Sequence, residues 1–381
     1  MFSIVLLHPF TAKAVGLTEN DFLHSHSKPH ESALRGIQND NLLIKIDYFS
    51  NSFFLKKFQR NGIEKRFWPL SFLSLLKKKK WRNETSTFHY KATLIKPADL
   101  TIINMSGHGS DYVFRLAKIL LAKNKTYIAM IGGLAMSYEG EALLYYKQAH
   151  HIIVHTERQK IELKSHSGFE NLDIRVLPLG INTSDSTPKI RADSELKGKL
   201  LFVGRFTRLK QIELAVGALK FIIQQGYSEA KLTLIGPKSD NVYYTEILEI
   251  IKDFKLENRI EIFDALPNEM LIDYYQNAEI FLLPSLHESF GMVITEAMCC
   301  GLPVIALKGS GGPDEIIRSG SNGLLTSKDQ FSNSVLSILT NKNYYDSLSS
   351  NARATIVANY SIENTKSTLR QSIEDALKGK D

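Results

Sequence analysis

Residues 281–312 read FLLPSLHESFGMVITEAMCCGLPVIALKGSGG, and this stretch decides how the rest of the chain is read. The apolar run Ile280, Phe281, Leu282 and Leu283 is short and stops at Pro284, as a buried strand of a parallel sheet does. Residues 285–291 have the composition of a loop. Over residues 292–300 apolar side chains recur at helical spacing, and Gly301 with Pro303 ends the helix. Val304, Ile305, Ala306 and Leu307 predict the next strand. The loop holds Glu288, and the helix holds Glu296 eight positions later. Phe290 and Gly291 offer backbone N–H groups at the helix start, where negative charge is favoured. An anion site flanked by two carboxylates is the expectation.

The same alternation extends in both directions. Upstream, strands are predicted at Leu200 to Val203, Leu232 to Ile235 and Ile260 to Phe263; downstream, Leu324 and Leu325 open another. The first half reads likewise, with strands beginning at Phe2, Leu42, Leu100, Tyr127, Ile152 and Arg175 and helices between them. Strands alternating with helices predict an α/β protein with doubly wound parallel sheets. At 381 residues two domains are expected, and the polar stretch 183–199 is the natural boundary. The expected division is 1–185, 186–360 and a last helical segment 361–381.

Composition narrows the function classes. Hydrophobic residues make up 43%, enough for full cores, yet no run of 18 uncharged apolar residues predicts a membrane span. The opening MFSIVLLHPF lacks a basic leader and reads as a first strand. The two cysteines, Cys299 and Cys300, are adjacent on a helix and cannot readily bridge each other, so a cytoplasmic setting is expected with both as packing groups. Residues 53–96 carry twelve Lys and Arg against Glu64 and Glu84, a local +10 in a chain of net +7 that leaves −3 for the rest. One local basic patch argues against nucleic acid and for an anionic acceptor or membrane surface, with the protein peripheral on the inner face of the membrane. Within it, residues 53–82 interleave the cations with Phe and Leu, which suits either an interfacial segment or an ordinary helix with one core face. The spacing of His24, His26 and His30 fits no common zinc pattern.

The segment ESFGMVITEAMCCGLPV resembles the E-x7-E motif of retaining family-4 glycosyltransferases with the GT-B fold. Further resemblances are Pro178 to Asn182 at the end of the first half, Gly204-Arg205 with Lys210, and Gly309 to Ile317. The resemblance implies two Rossmann-like domains facing across a cleft, acceptor domain first, with the last helix crossing back to it. It implies transfer of a sugar from a nucleotide diphosphate sugar, UDP by preference, to a glycan or lipid-linked acceptor in cell-surface polysaccharide or glycolipid assembly. Arg205 and Lys210 would hold the diphosphate and Glu288 would face the sugar as the catalytic set. Glu296 would take the ribose, with Gly204, Gly236, Ser289, Phe290, Gly291, Met292 and Val293 lining the donor site. Gly16 and His108 are the corresponding ligand-loop residues of the first half. The absence of any D-x-D sequence fits a site without metal or other cofactor, where fixed cations balance the leaving group. Gly132 and Gly133 stand where many relatives carry a histidine. Two alternatives remain at this stage: a nucleotide-sugar 2-epimerase and a non-catalytic assembly partner of the same fold.

Overall fold

The computed structural model describes residues 1–15, 17–24, 28–39, 41–76, 83–104, 110–134, 136–188 and 195–378. The chain divides into two compact units, Met1–Pro178 with Ile362–Asp381, and Leu179–Ser361. The first division therefore falls after Pro178, ahead of the polar stretch that suggested residue 185.

The first unit holds eight strands: β1 (Phe2–Thr11), β2 (Leu42–Ser50), β3 (Lys56–Arg60), β4 (Ile63–Pro69), β5 (Leu100–Asn104), β6 (Thr126–Met130), β7 (Ile152–Val154) and β8 (Ile174–Val176). Their order is β3-β4-β2-β1-β5-β6-β7-β8, parallel except for the β3–β4 pair. Alternate side chains of β1 serve two cores. Ile4 and Leu6 join Leu34 and Ile37 of the helix Lys28–Ile37 and Leu369 and Ile373 of the helix Ile362–Leu377. Val5 and Leu7 join Val113, Leu116 and Leu120 of the helix Asp111–Ala122 on the other face. The last helix thus belongs to the first unit.

The basic stretch is not the ordinary helix that one reading of residues 53–82 expected. It is a β-hairpin closed by Asn61 and Gly62, both at positive φ, followed by the short helix Phe72–Leu76. Two-residue turns need left-handed backbone, which Asn-Gly supplies at least cost. Nor is all its charge on the surface. The Lys65 side chain is fully buried against Glu31, 2.5 Å away, and Arg66 forks onto buried Asp47 at 2.6 and 2.7 Å. Burial would raise the Asp47 carboxyl, but its hydrogen bond with His89 and the Arg66 charge hold it below the usual range. The lysines 77–80 lie outside the described residues, as does His26. No helix among the described residues is long and apolar enough to cross a membrane.

The second unit holds β9 (Lys199–Val203), β10 (Lys231–Ile235), β11 (Ile260–Phe263), β12 (Ile280–Leu283), β13 (Val304–Leu307) and β14 (Leu324–Thr326). The order is β11-β10-β9-β12-β13-β14 and every pair is parallel. Strand order reverses between β9 and β12. Loops leaving those two strands wind in opposite directions, so a crevice opens beyond their carboxyl ends. Cys299, the last residue of the helix Met292–Cys299, and Cys300, its C-cap, are buried and unbridged, and the Cys299 thiol donates to the Ser186 carbonyl at 3.3 Å.

Candidate active site

β9 and β12 are neighbours, with Ile280 opposite Leu200 and Phe281 opposite Leu201. The turn after β9 and the loop after β12 must therefore meet. They do so through the Leu286 N–H, which donates to the Leu209 carbonyl at 2.8 Å. This brings Lys210 to Glu288, and the Lys210 ammonium donates to Glu288 Oε1. Both side chains are mostly covered, and among the described residues this is the one acceptor of the Lys210 ammonium. An ammonium has three N–H donors, so the pair leaves donors for a ligand. Arg205, in the same turn, is exposed and makes no ion pair among the described residues, whereas nearby Arg208 is tied to Glu246.

The Glu288 loop is pinned by the glycine turn after β13. Glu288 N–H donates to the Ser310 carbonyl at 2.7 Å, and Gly312 N–H returns to the Glu288 carbonyl at 2.9 Å. Such an approach requires residues without a side chain. A Cβ on Gly311 would lie 2.3 Å from the Glu288 carbonyl oxygen, and one on Gly312 would lie 2.2 Å from that of Phe290. Asp314 holds the turn by accepting from the Gly309 and Gly311 N–H groups at 2.7 and 2.8 Å. Gly236 meets the same demand: its Cβ would strike the Gly204 carbonyl oxygen at 1.9 Å. Gly204 and Gly236 thus bring the ends of β9 and β10 together.

Several polar groups here are left without partners. Phe290 and Gly291 are buried, and among the described residues neither N–H meets an acceptor. They precede the helix Met292–Cys299, whose own first N–H groups have no intrahelical partner. The hydroxyls of Ser285 and Ser310, both buried, also have no partner among the described residues. Unpaired buried donors beside a cation and a helix start suit a ligand that is anionic and accepts hydrogen bonds. Ser289 is exposed at the loop tip, while Met292 and Val293 are half-buried in the first helical turn. The Phe290 ring packs inward, edge-on to Tyr360, so only its backbone faces a ligand role.

Glu296 lies further along the helix, half-buried, and accepts a hydrogen bond from the Tyr275 hydroxyl at 2.9 Å. Burial, with the Glu296 charge beside it, pushes the Tyr275 phenol well up, so it stays the donor. Tyr275 and Asp314 were not singled out from the sequence. Tyr275 had no signal, being one apolar-face residue of a helix, Asn268–Asn277. Asp314 had one, since it lies inside the glycine-turn motif.

Gly16 and His108 lie outside the described residues; they follow β1 and β5, which pair directly with Ile4 opposite Leu100. The Gly132 carbonyl, beyond β6, accepts from the Gln159 amide at 3.3 Å.

A switch-point crevice with an unpaired guanidinium, an ammonium with donors to spare, unpaired amides and two carboxylates is chemically suited to an anionic ligand. Solved structures share the fold across nearly the whole chain. Sucrose-phosphate synthase from Thermosynechococcus elongatus is 19% identical, with 98% of each chain covered and a TM-score of 0.72. Anabaena HepE, solved with UDP and glucose, is 15% identical over 98% of this chain and 100% of its own, with a TM-score of 0.72. The fold is GT-B. Residues 185–355 match the family of glycosyl transferases group 1. Among curated relatives, the D-inositol 3-phosphate glycosyltransferases of Pseudarthrobacter chlorophenolicus and Paenarthrobacter aurescens are 29% and 30% identical, each over 46% of this chain. The match spans 43% and 44% of their lengths, less than half of either.

Proposed function

We propose that the protein is a retaining glycosyltransferase that moves a sugar from a nucleotide diphosphate sugar, UDP-linked by preference, to a glycan or lipid-linked acceptor in cell-surface polysaccharide or glycolipid assembly. The observation that carries this reading is the Lys210–Glu288 pair set beside the unpaired Phe290 and Gly291 amides. The donor diphosphate takes the free donors of Lys210, the Arg205 guanidinium and the two amides. Charge on it peaks as the sugar leaves, so these groups stabilise the transition state more than the ground state. Glu296 accepts from ribose hydroxyls and Glu288 faces the sugar. With fixed cations doing this work the reaction needs no metal. The diphosphate itself takes the acceptor proton, and catalysis is chiefly positional and electrostatic. HepE, which shares the fold, was solved with UDP-glucose, in keeping with such a donor.

The test is calorimetry against UDP, GDP and ADP, followed by hydrolysis of the matching nucleotide sugars. Binding of UDP with slow release of sugar to water is the expected result. Glu288→Gln should abolish that release while nucleotide affinity stays within a few-fold. Binding without hydrolysis in the wild type would support a non-catalytic assembly partner instead, an idea that Gly132 and Gly133 at the end of β6 also raise. No binding to any nucleotide overturns both.

A further inference from the structure

The hairpin and the short helix of the first unit leave four large apolar side chains in water. Phe53 and Phe54 are 78% and 80% exposed, and Phe72 and Leu73 are 72% and 61% exposed. The two pairs share one end of the sheet. Phe53 is three residues beyond Ser50, the last residue of β2, and Phe72 is three residues beyond Pro69, the last of β4. Ser50 and Pro69 are register partners, and the Leu70 N–H donates to the Ser50 carbonyl at 3.0 Å. Phe54 and Leu73 are each one residue further on, and four residues reach at most about 14 Å, so both pairs stay close to that joint.

The phenylalanines are presented, not frayed. Ser52 N–H donates to Ser50 Oγ at 3.0 Å, and Ser52 Oγ donates to the Phe54 carbonyl at 2.7 Å. Lys56, next along, is anchored to Glu19 at 2.7 Å. Monomer surfaces rarely hold so much aromatic area in one place without a use.

Among the described residues, the charge left unpaired next to Phe53 and Phe54 in the chain is basic. Lys57 is exposed and without a carboxylate partner among the described residues. The one acid between residues 51 and 76 is Glu64, and Lys45 holds it at 2.9 Å. In the sequence, Lys77-Lys78-Lys79-Lys80 follows Leu76 directly.

We infer that this end of the first unit docks on an anionic lipid bilayer, inserting Phe53, Phe54, Phe72 and Leu73 between headgroups while the neighbouring lysines meet lipid phosphate. Exposed aromatics without hydrogen-bonding groups, next to the uncommitted Lys57, match the two layers of a bilayer interface. The surface is smaller than the basic composition suggests, because Lys65 and Arg66 are spent inside. The inference does not depend on the donor-site reading, and its test reads binding alone.

The full chain is floated with vesicles of phosphatidylglycerol and phosphatidylcholine, and with phosphatidylcholine alone. It should rise with the anionic vesicles at low salt and be released as salt increases past screening of the patch. A variant with F53S, F54S, F72S and L73S should lose binding by roughly tenfold or more, since two apolar pairs no longer insert. Those side chains are exposed, so an unchanged melting profile is expected and is measured alongside. Failure of the wild type to rise with anionic vesicles at low salt overturns the inference. So does undiminished binding by the serine variant, or equal capture by a soluble acidic polysaccharide, which would make the patch a glycan surface. Concentration-dependent dimerisation abolished by the same serines would assign the patch to a second copy of the chain and overturn it too.

Discussion

Among the described residues each unit contains one mostly covered lysine–glutamate pair, and the two pairs differ in how many donors they leave unfilled. Lys65 of the first unit has a side chain 0% exposed. It donates to Glu31 and also to the carbonyls of Phe22 and Leu23, at 3.1 and 2.8 Å. Three acceptors use up its three donors. Lys210 of the second unit is 14% exposed and has Glu288 alone among the described residues. A completed set of hydrogen bonds suits a structural brace, while an incomplete one at a strand switch point still has donors to offer a ligand. Neither charge nor burial separates the two. The count of unfilled donors does.

That distinction can be broken experimentally. Lys210→Met should cut turnover by about 10²–10³-fold, the scale for removing a preorganised donor from a developing negative charge. Its melting temperature should stay near wild type. Lys65→Met should do the reverse. Removing one partner of a buried pair costs about 3–5 kcal/mol, because Glu31 is left uncompensated. Its activity per folded molecule should hold. The readouts are steady-state kinetics with an active-site titration, and thermal melting of each variant. Equal destabilisation by both substitutions, with no turnover deficit in Lys210→Met, would make Lys210 a second brace.

A smaller effect is expected at the other end of the site. Glu296→Ala should weaken nucleotide binding by about 1.5–3 kcal/mol, the loss of charge-assisted hydrogen bonds to ribose hydroxyls. Calorimetry with UDP measures it. Unchanged affinity in a folded variant would remove Glu296 from the site and leave the loop around Glu288 to bind alone.

The second unit was the more legible of the two, for physical reasons. Its central strands β12 and β13 are buried on both faces, so they read as apolar runs such as Ile280 to Leu283. Its loops carry Gly236, Gly311 and Gly312, where backbones approach too closely for a Cβ. In the first unit the hairpin was overlooked although Asn61-Gly62 announced it, because the lysines and phenylalanines around it drew a different reading. Lys65 and Arg66 passed for surface charge, since their partners Glu31 and Asp47 lie 34 and 19 positions away in sequence. Tyr275 was invisible for a similar reason, its acceptor lying 21 positions ahead on another helix.

Tyr275 gives the finest test of how complete the second site is. Its hydroxyl fills one position on Glu296 Oε2, in the way that the Phe22 and Leu23 carbonyls fill positions on Lys65. If Glu296 is a ligand group, the tyrosine is a positioning residue: it fixes the orientation of the carboxylate that meets the ribose. Tyr275→Phe keeps the ring and removes only that bond, a change worth about 0.5–1.5 kcal/mol. A purely structural bond would lower stability without changing selectivity. A positioning bond should also narrow the preference for UDP over 2′,3′-dideoxy-UDP, because a carboxylate free to rotate discriminates less well between the two. Calorimetric affinities for both nucleotides, in wild type and variant, settle the point. An unchanged ratio of the two affinities assigns Tyr275 to the core and makes Glu296 a ligand group oriented by its helix alone.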